Sequence, residues 1–157
     1  MNTIEKIRQW TSAIHIDFVR NYKEMGLRAS GNWESQLSED IKETESGYRI
    51  TFFGLSYTKQ LEEGRRPNTN EKSIRAFVGW AGSTFLAEWV KNKGLAISPY
   101  AVAYKIAREG IAVPNGFNKG GLVSGVLTTE RIDELLRSVL GTLGENLKSD
   151  IKTMFKN

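Results

Sequence analysis

The chain contains no cysteine and a single histidine among its 157 residues. The first absence excludes disulfides, thiolate metal sites and cysteine nucleophiles. The second leaves a histidine-based serine triad only if His15 serves in it. His15 follows Ile14 at the border of an apolar helical stripe, where a lone histidine reads as a packing or surface residue rather than a base. No His-Glu-x-x-His pattern and no alternating Asp/Asn series of the calcium-loop type occurs, so neither a metal nor any other cofactor is expected. Gly116-Phe-Asn-Lys-Gly-Gly121 has glycines and a lysine without the spacing that wraps phosphates. The 18 acidic residues supply carboxylates in principle, but nothing singles out a pair for glycosidase-like chemistry. An enzyme is therefore not expected. No run of about 18 apolar residues occurs and no apolar signal core follows Met1, so no membrane partner is expected and synthesis is expected in the cytoplasm.

What remains is a chain of ordinary globular composition, 39% hydrophobic, 25% charged and 10% aromatic. Its length suits one domain over residues 1–157, able to bury roughly two thirds of the surface of the unfolded form. The formal charge of +4 is unevenly placed. Residues 1–64 carry 8 basic and 10 acidic groups, 65–128 carry 9 and 3, and 129–157 carry 5 and 5. The middle third reads either as a face for DNA or an acidic partner, or as scattered solvated lysines.

Residues Ile4, Ile7, Thr11, Ile14, Phe18, Tyr22 and Met25, apolar but for Thr11, step by three or four and predict a helix over 3–25, capped by Asn2 with Glu5 and stopped by Gly26. Trp33 to Leu37 reads as a short helical turn. Residues 41–45 and 48–53, separated by Ser46-Gly47, predict an antiparallel hairpin whose first strand is polar enough for an exposed edge. Two helical stretches, 71–80 and 83–92, are expected to be broken by Gly79 and Gly82. Ser98-Pro99 starts another helix, with Tyr100, Ala103, Tyr104 and Ala107 on one side and Ala101 among the small residues that admit a close neighbour. Residues 110–125 are too rich in glycine for a packed element and read as a long mobile loop, with Leu122 to Leu127 as a possible third strand. Thr129 is expected to cap a final helix to about Phe155, with the stripe Ile132, Leu135, Leu136, Val139, Leu143, Leu147, Ile151 and Met154. Phe77 with Trp80, and Phe85 with Trp89, suit either a core or an interface.

The most informative stretch is Tyr57-Thr-Lys-Gln-Leu-Glu-Glu-Gly64-Arg-Arg-Pro67, a short helix halted by glycine and followed by a rigid, doubly basic loop. Glu62-Glu63 beside Arg65-Arg66 reads either as local ion pairs, worth less than about 1 kcal/mol when exposed, or as a docking loop whose guanidinium forks grip a neighbour. With Trp89-Val-Lys-Asn-Lys-Gly-Leu95 and Ala101-Val-Ala-Tyr-Lys-Ile-Ala-Arg108 ahead of a glycine-rich loop and a long last helix, the order of elements from about Trp10 onward resembles the tail-completion (neck, or head-to-tail connector) proteins of long-tailed bacteriophages. The stretch from Glu71 to Phe85 departs from the commoner members.

The resemblance implies an α+β fold, a small antiparallel sheet packed by long N- and C-terminal helices, with extra short helices and long loops. It implies a virion structural protein, assembled in the host bacterial cytoplasm, that forms a neck ring of six or twelve copies between portal-side and tail-tube proteins, around passing genomic DNA. It implies no catalytic residues. The candidate subunit-interface loop is Tyr57, Glu63, Gly64, Arg65, Arg66 and Pro67; the candidate assembly loop is Gly110, Pro114, Gly116, Phe117, Gly120 and Gly121. Lys91, Lys93, Lys105, Arg108 and Lys119 are the candidates to face DNA. A small basic nucleic-acid-binding protein is the alternative, from the pI of 9.3 and the tryptophan–lysine neighbours around Trp89.

Overall fold

The computed structural model describes residues 2–154, with side-chain surroundings through Lys148. Phe155, the expected end of the last helix, and the side chains of Ile151 and Met154 lie outside the described residues. The fold is α+β: seven helices accompany two small antiparallel ladders among the described residues.

Helix α1 (Thr3–Glu24) starts with the expected capping box, the Asn2 side chain accepting from the Glu5 amide and Glu5 accepting from that of Asn2. Its stripe Ile7, Thr11, Ile14, Phe18 and Tyr22 is buried throughout. Helix α2 (Asn32–Gln36) brings Trp33 against it, where the indole stacks on Tyr22 at 4.6 Å and donates to Thr58 Oγ1 at 2.9 Å. Strands β1 (Ser38–Thr44) and β2 (Gly47–Phe53) form the predicted hairpin in a register that pairs Ile41 with Ile50. The strand expected from residue 41 begins three residues earlier. Phe52 meets Phe18 edge-on at 5.3 Å, which lays the hairpin on α1. Leu122 and Val126 complete this core. Full burial of a residue such as Ile14 or Leu122 contributes about 1.5–3 kcal/mol.

A second, smaller core lies between helices α4 (Glu71–Ser83), α5 (Phe85–Asn92) and α6 (Pro99–Glu109), around Ala81, Leu86 and Ala103. Helix α4 does not break at Gly79 or Gly82; the interruption falls at Thr84, whose backbone is non-helical (φ −121°, ψ −109°). Gly82 is instead a packing residue, because a Cβ there would come within 2.5 Å of the Tyr100 ring on α6. Ala103 and Ala107 are fully buried as expected, while Ala101 and Tyr104 are exposed and Tyr100, half exposed, lies against Gly82.

The segment 122–127 is not a third strand. It closes as tight turns, Gly125 donating to Gly121 O at 3.1 Å and Leu127 to Val123 O at 2.9 Å. It then enters α7 (Thr129–Met154), where Thr128 rather than Thr129 takes the capping position. Helix α7 runs antiparallel to α1, held by Lys6 Nζ to Ser138 O and Trp10 Nε1 to Arg131 O, both 3.1 Å, and by Arg131 to Asp17 at 2.6 Å.

Candidate assembly site

Helix α3 (Thr58–Glu63) ends at Gly64, and the chain continues as the two-residue strand β3 (Gly64–Arg65). Its partner is β4 (Ile111–Ala112), directly after α6, with Gly64 opposite Ala112 and Arg65 opposite Ile111. The two segments singled out in the sequence as separate loops are thus two sides of one corner. Glycine is required on both sides. Gly64 (φ +84°) would place a Cβ 2.1 Å from Ile111 O, and Gly110 (φ +73°) would place one 2.3 Å from Arg65 O.

The two arginines divide. Arg65 turns inward: its guanidinium donates to Asn68 Oδ1 at 2.6 Å, Arg66 O at 3.2 Å and Ile106 O at 3.3 Å, and lies 4.1 Å over the Phe77 ring. Asn68 continues the network to Ser73 O on α4 and, through its amide, to Ala107 O on α6. Arg65 therefore ties β3 to the second core, with three hydrogen bonds made within the chain. Arg66 and Pro67 are exposed. The neighbouring acids do not pair with these arginines: Glu63 lies 3.8 Å from Lys59, and Glu62 reaches the other loop. Tyr57 is 40% exposed, and burial, with Glu34 nearby, raises its phenol pKa.

The segment expected to be mobile is hydrogen-bonded along most of its length. Asn115 organises the turn after Pro114, donating to Ala112 O at 2.7 Å and accepting from the amides of Phe117 and Asn118. Asn118 is buried, donates to Leu61 O at 2.7 Å and accepts from Gly120 N. Asn21 of α1 donates to Gly121 O at 2.8 Å. Glu62 accepts from Val123 N at 2.8 Å, Ser124 N at 3.2 Å and Ser124 Oγ at 2.5 Å. Burial acts to raise the Glu62 pKa, but these bonds to the ionised form outweigh it and hold the carboxyl below its ordinary value. The apparent looseness in the sequence comes from glycine content, and the order comes from Asn115 and Asn118, which carry no signal of their own in the sequence, and from Glu62, which the sequence marked for a local ion pair rather than for this loop.

At the tip of this braced turn Phe117 is 94% exposed. Beside it, Val102, Lys105, Ile106, Gly110 to Ala112 and Asn115 line an open apolar groove of about 440 Å³. A rigid corner with a projecting aromatic ring, an exposed arginine and an apolar groove offers recognition surface.

The expected DNA-facing residues do not gather in one element. Lys105 and Arg108 lie on α6, Lys119 on the following loop, Lys91 in the last turn of α5 and Lys93 just after it. Two are engaged: Lys93 Nζ donates to Gly26 O at 2.8 Å, and Arg108 pairs with Glu71 at 2.6 Å. The only histidine, His15, meets Glu39 of β1 at the surface, a cross-element ion pair or hydrogen bond. Among the aromatics, Trp80 and Phe85 are 60% and 45% exposed, with ring centroids 5.2 Å apart, so they belong to the surface, whereas Trp89 packs on the second core. No family model, curated protein or solved structure matches this chain.

Proposed function

We propose that this chain is a structural subunit of a tailed-bacteriophage virion, one of the copies of a neck ring that completes the tail at the DNA-filled head. The observation that carries the reading is the β3–β4 corner: the two segments that the family resemblance marks for assembly are brought together and braced from within, presenting Arg66, Pro67 and Phe117 outward. A ring of identical copies needs a heterologous contact, one patch meeting a different patch on the next copy. A rigid projecting corner is suited to one side of such a contact because little conformational entropy is lost on docking.

The genomic neighbourhood tests the reading directly. Portal or capsid genes on one side and tail-tube or tape-measure genes on the other are expected; unrelated metabolic genes on both sides would overturn it. A second test is to co-express the chain with those neighbours and image the product by electron microscopy. Rings are expected for the unmodified chain and for Lys119→Ala, and none for the Phe117→Asp variant.

A further inference from the structure

Helix α4 keeps an exposed glycine for which the packing of the chain gives no reason. An interior glycine weakens a helix relative to alanine. At Gly82 that cost has a cause, the Tyr100 ring beside it. At Gly79 it has none among the described residues: the position is exposed, and a Cβ there would meet nothing within 4 Å. The result is a patch of bare backbone on the outside of the protein.

Two contacts set α4 and α6 side by side and antiparallel. Arg108, near the end of α6, pairs with Glu71 at the start of α4 at 2.6 Å, and Tyr100, near the start of α6, lies against Gly82 near the end of α4. Arg75, one turn beyond Glu71, therefore lies level with Tyr104, one turn before Arg108. Lys72, Arg75, Gly79 and Gly82 step by three, four and three along the side of α4 next to α6. Tyr100, Tyr104 and Arg108 step by four along the adjoining side of α6. The two phenol rings are 49 and 48% exposed, and the Arg108 guanidinium lies 5.4 Å from the centre of the Tyr104 ring. Lys105 stands at the rim of this face, toward the groove beside Phe117.

Charge here is one-sided. Helices α4 and α6 carry the basic side chains Lys72, Arg75, Lys105 and Arg108 and the acidic ones Glu71 and Glu109. Glu71 is taken by Arg108, and Glu109 lies about 140° round the helix from Tyr104, away from α4. Lys72, Arg75 and Lys105 pair with no acid among the described residues.

We propose that this α4–α6 face binds single-stranded nucleic acid, with phosphates on Lys72, Arg75 and Lys105, bases on Tyr100 and Tyr104, and the bare backbone at Gly79 admitting the strand closely. The tyrosines follow each other about 6 Å apart along α6, so consecutive bases have a ring each. A duplex keeps its base faces stacked inside and has no use for exposed rings, and an acidic protein supplies the charge without the flat faces. The site lies apart from the corner, so it stands or falls independently of the ring reading, which flanking genes and ring imaging test.

Titration of a labelled oligothymidylate of about 20 nucleotides with the full chain, followed by fluorescence anisotropy, tests the proposal. Binding of micromolar order is expected at about 50 mM salt, with a log–log salt slope of about −2 for three phosphate contacts. Tyr104→Leu keeps the bulk and loses the ring; it is expected to bind about five-fold or more weakly, with an unchanged circular-dichroism spectrum and melting temperature. Arg75→Ala is expected to weaken binding and to flatten the slope by about 0.7. Gly79→Gln fills the bare patch and is expected to weaken binding without lowering the melting temperature, while Lys42→Ala, on the hairpin, is expected to change nothing. A duplex of the same length and poly-glutamate are both expected to bind much more weakly than the single strand. No binding at low salt, or binding indifferent to Tyr104→Leu, Arg75→Ala and Gly79→Gln, would overturn the proposal. So would equal binding of the duplex, and equal binding of poly-glutamate would turn the face over to an acidic protein.

Discussion

Two polar groups in this protein, one buried and one half-buried, behave oppositely, and the difference lies in their partners. Thr11 is 1% exposed on the core face of α1, and its hydroxyl has no hydrogen-bond partner among the described residues. A desolvated, unpaired hydroxyl is a net cost. Thr11→Val keeps the shape, so it is expected to stabilise the fold by about 1 kcal/mol, read as a higher urea midpoint with an unchanged slope. Glu62, by contrast, is held in its ionised form by Val123 N, Ser124 N and Ser124 Oγ. Its folded pKa is lowered from 4.5. The stability it supplies is therefore present above that value and is lost as pH falls through the lower folded value. Glu62→Gln is expected to cost about 1–2 kcal/mol at neutral pH. The gap between variant and unmodified protein should shrink toward zero in urea melts carried out below the folded pKa. A gap independent of pH would mean that shape, not charge, holds the loop.

At the scale of elements, glycine had two meanings that the sequence alone did not separate. Gly26 and Gly64 were legible as stops, since each follows a helical period that ends there. Gly79 and Gly82 look the same in sequence, yet α4 runs through both, because an interior glycine costs a helix only about 1 kcal/mol and packing on α6 supplies more. Gly82→Ala is accordingly expected to destabilise by about 1–2 kcal/mol despite alanine's better helix propensity, through overlap with Tyr100. Gly79→Ala, with open space at its Cβ, is expected to be neutral or stabilising in the same thermal melt. The hairpin and both long helices were legible because period and caps agree over many residues. The pairing of β3 with β4 was not: two residues on each side carry no period, and Arg65 and Ile111 meet through tertiary contacts, among them Arg65 to Ile106 O and Asn118 to Leu61 O, that join segments far apart in sequence. The expected strand at 122–127 failed for a related reason, its apolar residues being placed by tight turns at Gly121 and Gly125 rather than by a ladder.

For the whole molecule, the corner is where internal cohesion and external recognition meet, and the two arginines separate them. Asn118 and Glu62 link it to the larger core, and Arg65 links it to the smaller one. Replacing both arginines at once would mix a folding defect with an assembly defect. Arg65→Ala removes three hydrogen bonds and a stacked cation, and is expected to lower stability by about 2–3 kcal/mol, seen as a clear drop in melting temperature. Arg66→Ala touches an exposed side chain and is expected to leave the melting temperature unchanged while weakening assembly with neighbouring virion proteins. The reverse pattern, an unstable Arg66 variant or a fully stable Arg65 variant, would show that the roles are exchanged. Normal assembly by a stable Arg66→Ala and Phe117→Ala double variant would mean that the corner serves the fold alone.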